Sequence, residues 1–444
     1  MPLPSYTLRD DFLSWGRVCR RPRWVASPRF RTELADLVAR ASKTSFLACG
    51  LRRSYGDSCV NSDGETIDMC GLDRFMAFDD ATGILRAEAG LSLSALLAFA
   101  VPRGWFLPTT PGTRFVTLGG ALANDVHGKN HHCAGSFGCH VRSLGLLRSD
   151  GFCGIVTPGA DPKLFAATIG GLGLTGIIEW VEIQLERIPS AFLQVETLPY
   201  GDLAEFWALV DQSTARFEHT VAWIDAASRG AKFGRGVFSR ANWLADGSLP
   251  AHSDRTWKNI PVDAPAFALN QFSVAGFNAF YWRMHKAKRG RSVQHYAPFF
   301  YPLDGILNWN RLYGKRGMYQ YQCVVPPAAA AQAVDRLLEV VSRSGQASFL
   351  ATLKTFGERA SPGLLSFPRP GATLALDFPN RGKDTLELLS RLDAIVMEAG
   401  GALYPAKDGR ISVDAFRRSF PNWQEFLKYK DSGMSSDFWR RAAA

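Results

Sequence analysis

Between residues 108 and 138 polar side chains and glycines crowd together more densely than an ordinary turn requires. The run reads Pro108-Thr-Thr-Pro-Gly-Thr-Arg114, then Thr117-Leu-Gly-Gly-Ala-Leu-Ala123, then Asn124-Asp-Val-His-Gly-Lys-Asn-His-His132, then Gly135-Ser-Phe-Gly138. Gly119 and Gly120 fall where a loop feeds a helix. Glycine there lets a flat or charged ligand lie against bare backbone. With Lys129, Asn130, His131 and His132 beside these glycines, a ligand site is the better reading. A second cluster, Leu51-Arg-Arg-Ser-Tyr-Gly-Asp57, follows the apolar stretch Ser45–Cys49 and Gly50. A strand running into a tight polar loop offers successive amides to an anion, although taken alone this cluster reads sooner as an ordinary turn. A third cluster, Thr168-Ile-Gly-Gly-Leu-Gly-Leu-Thr-Gly176, ends a helix and opens a long strand. No GxGxxG follows a strand and opens a helix, and no Gly-Lys-Ser/Thr occurs. The Rossmann fingerprint and the P-loop are thereby excluded, and a dinucleotide needs another glycine-rich scheme.

The histidines raise a metal as an alternative. His127 and His131 lie four apart, with His132, Cys133, Cys139 and His140 close by. Zinc could use such a set. Gly128, Gly135 and Gly138 interrupt any helix that would align His127 with His131, so structural or cofactor-touching histidines are expected and no metal.

The elements that must position these clusters are legible in outline. Glu65–Met69 and Ile84–Ala89 read as strands, and Ser92 as the cap of a helix over Leu93–Val101. Val141–Leu147 and Phe152–Val156 flank the hairpin signal Ser149-Asp150-Gly151. Pro162–Thr168 reads as a short helix and Ile177–Leu185 as a strand closed by Pro189. Beyond it, Gly201–Ser213 reads as helix, Thr220–Ile224 as strand and Gly236–Pro250 as loop. Gln320–Val325, Ser348–Thr355 and Thr373–Asp377 are strand-like, and Ala328–Arg343 and Thr385–Glu398 are strong helices. This is an α+β pattern with an antiparallel sheet covered on one side. The final 40 or so residues are helical and aromatic, with Trp423 and Trp439.

Composition narrows the class. The 444 residues suggest two or three domains. The net charge of +10 suits nucleic acid, an anionic membrane surface or anionic ligands. No basic block or nucleic-acid module supports the first, and a phosphorylated substrate with a pyrophosphate cofactor would use the same charge. The eight cysteines form no CxxC pair, which argues for a reducing, cytoplasmic setting. No signal-peptide core and no membrane-length apolar run is present, and peripheral membrane contact stays open. Within Phe272–His295, aromatics alternate with Arg283, Lys286, Lys288, Arg289 and Arg291. That mix suits a lipid tail beside a phosphate, or equally a surface loop.

The ordered blocks together resemble the FAD-binding flavoproteins of the vanillyl-alcohol-oxidase (PCMH) type, and within them the oxidases of polyprenylphosphoryl ribose. The most specific stretches are Arg53-Ser-Tyr-Gly-Asp57, Pro111-Gly-Thr-Arg114, Asp125–His132, Gly135-Ser-Phe-Gly138, Gly173–Ile178, Tyr301-Pro-Leu-Asp304, Trp309-Asn-Arg311, Tyr319-Gln-Tyr-Gln322 and Leu403–Asp408. The resemblance implies an FAD-binding domain over 1–191, an antiparallel substrate domain over 192–401, and a helical segment over 402–444 that returns to the first. It implies oxidation of the 2′-hydroxyl of a polyprenylphosphoryl-β-D-ribose to a ketone by hydride transfer to flavin. A separate NAD(P)H-dependent reductase would complete the epimerisation to an arabinose donor. A flavin oxidase of a free sugar alcohol or aldonolactone is the alternative on the same scaffold.

Roles carry over position by position. Arg53, Ser54, Tyr55, Gly56 and Asp57, with Pro111, Gly112, Thr113, Thr117, Gly119, Gly120, Ala123 and Asn124, would hold the pyrophosphate and ribityl chain. His127, Gly128, Lys129 and Asn130 would sit by the isoalloxazine and substrate, and Ile177 and Tyr404 would touch the cofactor. Lys407 is the foremost catalytic candidate, with His127 and Lys129, because a cation at the flavin N1–C2 edge favours hydride acceptance. Phe300, Trp309, Gln320, Gln322, Lys354 and Ala375 would line the sugar pocket. The chain departs from the family in three places. The loop Arg52-Arg53-Ser54 lacks the histidine that tethers FAD covalently in many members, so the cofactor is expected to dissociate. Ala375 stands where close members have a cysteine, and Phe300 where they have a tyrosine.

Overall fold

The computed structural model describes residues 4–41, 45–254, 258–265, 267–346 and 348–443. The alternation of apolar residues in the first half is used twice. Four strands, in the order Thr7–Arg9, Arg23–Ala26, Glu65–Asp68 and Phe46–Cys49, form a small sheet. Its last three strands run parallel, so Phe46–Cys49 delivers the chain directly into the loop at 50–57. A five-stranded antiparallel sheet follows, in the order Phe75–Asp79, Ile84–Glu88, Ile177–Gln184, Val141–Leu147 and Cys153–Val156. The expected hairpin joins its last two strands, and the Ser92 side chain caps Leu93–Ala100 by accepting from the Ala95 amide. Helix Leu118–Ala123 packs on this sheet through Leu118, Ala121 and Leu122, all fully buried.

The second half builds one antiparallel sheet of eight strands. In order they are Gly290–His295, Phe192–Tyr200, Gly236–Trp243, His219–Ile224, Ala351–Phe356, Gly371–Pro379, Met318–Val325 and Ala402–Leu403. Strand alternation sends Tyr321, Cys323, Leu353, Leu374 and Leu376 to one face, into a core shared with helices Ala330–Arg343 and Lys383–Glu398. The opposite face looks toward the glycine-rich clusters.

Two expectations are corrected. Gly236–Pro250 is loop only in its second half, since Gly236–Trp243 is a strand between two partners. Its positions from Gly236 to Ala241 are paired on both sides, which overrides the weak local signal. Phe272–His295 is no loop either. It comprises a helix over Gln271–Ala287, capped by Asn270, and the edge strand Gly290–His295.

The segment after 402 runs back along the first half. The Tyr55 amide donates to the Ala406 carbonyl, the Asp57 amide to Asp408 and the Phe46 amide to Gly433. Arg441, on the helix Asp437–Ala442, grips both Asp57 oxygens at 2.9 and 3.0 Å and the Asp408 carboxylate at 2.9 Å. Among the described residues, no helix is long and apolar enough to cross a membrane.

Candidate active site

A single cavity of about 810 Å³ separates the bare face of the large sheet from the glycine-rich loops of the first half. That volume is in the range of a site that takes both a cofactor and a substrate. One wall carries residues 50–55, 110–113, Thr117, Gly119, Gly120, Ala123, Asn124 and 126–129. The other carries Gln320, Gln322, Thr352, Lys354, Thr373, Ala375 and Asp377 from neighbouring strands.

The loop wall is shaped as a cradle. Arg52 takes a left-handed backbone conformation (φ 55°), and the amides of Arg52, Arg53 and Ser54 donate no hydrogen bond to described residues. Successive free amides around a left-handed residue form an anion nest. A Cβ placed on Gly112 would meet nothing within 4 Å, and the same holds for Gly173 in its left-handed conformation. Bare backbone therefore borders open space at both points. Two buried oxygens of wall residues, Ser58 Oγ and Asn124 Oδ1, have no hydrogen-bond partner among the described residues. Buried polar atoms without partners in a folded cavity are fitted to a ligand that supplies them. A dinucleotide with a pyrophosphate, a polyol chain and a flat ring fits this cradle. The loop Gly50–Asp57, the turn Thr110–Thr113 and the stretch Gly119–Asn124 are the groups that would hold FAD.

The sheet wall carries the charge. Antiparallel register sets Gln320 opposite Asp377, Gln322 opposite Ala375, and Lys354 opposite Thr373. Lys354 Nζ lies 3.2 Å from His127 Nδ1 and 3.4 Å from the Gly128 carbonyl, and Gln322 Nε2 lies 2.9 Å from His127 Nε2. A neutral imidazole has one acceptor and one donor nitrogen. Turning the Gln322 amide places its oxygen on Nε2–H and leaves Nδ1 to accept from Lys354. Burial, with Lys354 beside it, holds His127 well below the ordinary imidazole value, so it is neutral. Lys129 donates to the Phe299 carbonyl and lies 4.4 Å from the centre of that ring. Burial pushes Lys129 and Lys354 down to about 7, each lysine or its neighbour adding repulsion. Lys407 lies 4.2 Å from the centre of the Tyr55 ring, is pushed down to about 8 by burial, and is held up by Asp377. Asp377 in turn is raised by burial to about 7.

Most of the expected residues meet at this cavity. Arg53, Ser54, Tyr55, Pro111, Gly112, Thr113, Thr117, Gly119, Gly120, Ala123, Asn124, His127, Gly128, Lys129, Tyr404 and Lys407 line it, as do Phe300, Trp309, Gln320, Gln322, Lys354 and Ala375. Four do not. Ile177 is fully buried in the core behind the wall, and its neighbours Gly176 and Ile178 face the cavity instead, as strand alternation demands. Asp57 is occupied by Arg441, and Gly56 packs against the Asp408 backbone, so both fasten the loop without reaching the cavity. Asn130 turns its amide to the Pro108 carbonyl at 2.7 Å and braces the loop from behind. Residues that sequence reasoning passed over are Asp377, Ser58, and Asp304, whose carboxylate takes Thr113 Oγ1 at 2.6 Å and the Arg114 amide at 2.8 Å. Asp377 was within reach, because it shares strand parity with Thr373 and Ala375.

Residues 22–153 match the family model described as an FAD binding domain. With the cradle and the charged wall, this makes the chain a flavin-dependent oxidoreductase. It is 36% identical to the decaprenylphosphoryl-beta-D-ribose oxidase of Mycolicibacterium smegmatis, over 99% of this chain and 98% of that protein. The chain belongs to that oxidase family. It is also 31% identical to an uncharacterised Streptomyces coelicolor protein over 79% of this chain and 99% of the relative. An L-gulono-1,4-lactone dehydrogenase of Mycobacterium tuberculosis is 30% identical over 38% of each chain.

Proposed function

We propose that this enzyme oxidises the 2′-hydroxyl of a polyprenylphosphoryl-β-D-ribose to the 2′-keto sugar. The observation that carries the reading is the 36% identity to a decaprenylphosphoryl-beta-D-ribose oxidase over 99% of this chain, a span that takes in both walls of the cavity. Bound FAD supplies a two-electron hydride acceptor. The chain's own residues bind and orient. Gln320, Gln322 and Lys354 form the polar face that would meet the sugar, and Phe300 and Trp309 add apolar surface beside it. Lys407 holds a positive charge beside the cofactor cradle. No histidine lies in the loop 50–57, so the flavin is held without a covalent bond to that loop. Purified protein is expected to be yellow and to release FAD on denaturation. A short-chain polyprenylphosphoryl ribose is expected to bleach it anaerobically. Colourless protein that takes up no added FAD rules the reading out.

A free sugar alcohol or lactone is the second reading, favoured by the identity to L-gulono-1,4-lactone dehydrogenase. That identity covers only 38% of the chain, so it speaks less to the sheet wall. Bleaching by polyols and not by the lipid sugar would establish it.

The lysines give the lipid-phosphate reading a pH signature. Lys129 and Lys354 have no carboxylate partner among the causes of their shifts, and a bound anion would be their counter-charge. Below about 7 both carry charge, and above it both lose it. Affinity for an unreactive alkyl phosphate, read from the flavin spectrum, is expected to fall as pH rises from 6 to 9, by roughly tenfold or more. An affinity flat across that range would separate these lysines from anion binding.

Product release points to a reductase partner that consumes the keto sugar. The same reading places the enzyme in the cytoplasm at a lipid surface. Exposed Phe272 and Phe280, beside Arg283, Lys286 and Lys288, support peripheral contact with an anionic membrane.

A further inference from the structure

Oxidising a carbinol requires two departures from it, a hydride from carbon and a proton from oxygen. The second needs a base within hydrogen-bond reach of the hydroxyl. The lysines are poorly placed to act. Lys129 and Lys354 spend their hydrogen bonds on the Phe299 carbonyl, the Gly128 carbonyl and His127. Lys407 must keep its proton to supply charge. His127 is committed on both nitrogens.

Among the described residues, two carboxylates line the cavity, Asp304 and Asp377. Asp304 is saturated by Thr113, by the Arg114 amide and by the Arg114 guanidinium. Asp377 differs. Its Oδ1 accepts from the Gln320 amide, which sits directly across the strand pair, while its Oδ2 is buried and makes no well-aligned hydrogen bond among the described residues. The buried Tyr313 hydroxyl lies behind it, near enough to favour the carboxylate though without a well-aligned hydrogen bond among the described residues. A carboxylate offers about four acceptor sites, and at the wall of the cavity Asp377 is met by fewer donors than Asp304, which leaves it room to accept from a substrate hydroxyl.

We propose that Asp377 is the proton acceptor of the reaction, with Gln320 as its positioning residue. This rests on the proposed oxidation. In the step, the substrate O–H bond breaks and its proton passes to the Asp377 carboxylate. The carbinol C–H bond breaks with its electron pair, which leaves as hydride to the bound cofactor. The C=O double bond forms, and the substrate is oxidised by two electrons. Asp377 later returns the proton to solvent.

The groups facing Asp377 set its working range. Burial raises it to about 7, against the Gln320 hydrogen bond, the charge of Lys407 and the Tyr313 hydroxyl, each of which favours the carboxylate. As the base must be ionised, the rate rises with pH through about 7.

The test compares wild type with Asp377→Asn, both loaded with FAD. Anaerobic bleaching by a short-chain polyprenylphosphoryl ribose is expected to slow at least about 100-fold in the variant, and the acidic limb of its pH profile to vanish. Asp377→Glu is expected to keep the limb at a reduced rate. An infrared titration of the same proteins reads the carboxyl directly. A protonated-carboxyl band that disappears as pH rises through about 7 in wild type should be absent in Asp377→Asn. Bleaching of Asp377→Asn within about threefold of wild type, with the limb intact, overturns the assignment; the rate expected of a lost base is far lower. If only free polyols bleach the wild type, the lipid substrate falls and the comparison is made with the polyol. A wild type bleached by neither takes the inference down with the function.

Discussion

Lys407→Ala is expected to fold, to bind FAD, and to be reduced by substrate about 100- to 1,000-fold more slowly than wild type. The side chain is buried at the cavity, and the Asp377 carboxylate supports its charge. Removing a preorganised cation from a dry site costs the stabilisation of the charge that develops there. A second consequence follows from reciprocity. Lys407 favours the ionised form of Asp377, so its loss raises the Asp377 carboxyl further above about 7. The residual activity of Lys407→Ala should therefore peak at higher pH than that of wild type. Stopped-flow reduction across pH reads both effects. A variant with wild-type rates removes Lys407 from the chemistry.

The second large effect is expected away from the chemistry. Gly56→Ala should lose FAD almost completely. The added Cβ would stand 1.5 Å from the Asp408 carbonyl oxygen, and both sides of that contact are backbone. Neither can swing aside as a flexible side chain does. Forced overpacking of this kind costs about 1–3 kcal/mol and more where nothing yields. The strain falls on the loop that bears the anion nest. FAD content after gel filtration and the melting temperature check it together. The expectation is a colourless protein with a lowered melting point; a yellow protein of unchanged stability contradicts it.

Much of the cofactor side was legible in the sequence because it is local. Glycines at 112, 119, 120 and 128 and the polar run beside them occupy one short stretch, and they line one wall. The helix cap at Ser92 and the hairpin at 149–151 follow the same logic. What escaped is set by long-range pairing. Asp57 sits in a phosphate-loop motif, yet its partner Arg441 lies 384 residues away and takes both of its oxygens. Ile177 and Ile178 are equally apolar, and the parity of the strand alone decides which one faces the cavity. Asp377 reads as an ordinary end-of-strand acid until register sets it against Gln320. The strand at 236–243 escapes because its signal comes from the strands on either side, and the helix at 271–287, though capped locally by Asn270, hides its period because aromatics such as Phe272, Phe277 and Phe280 stand exposed.

The hydrogen bonds from Tyr55 and Asp57 to 406 and 408, and the grip of Arg441 on Asp57, bear on when the enzyme matures. A ribosome that has released only the first 400 residues has made the nest but not the brace that holds its shape. Flavin loading is then an event of the finished polypeptide, and cofactor supply during synthesis cannot rescue a chain cut short before residue 441.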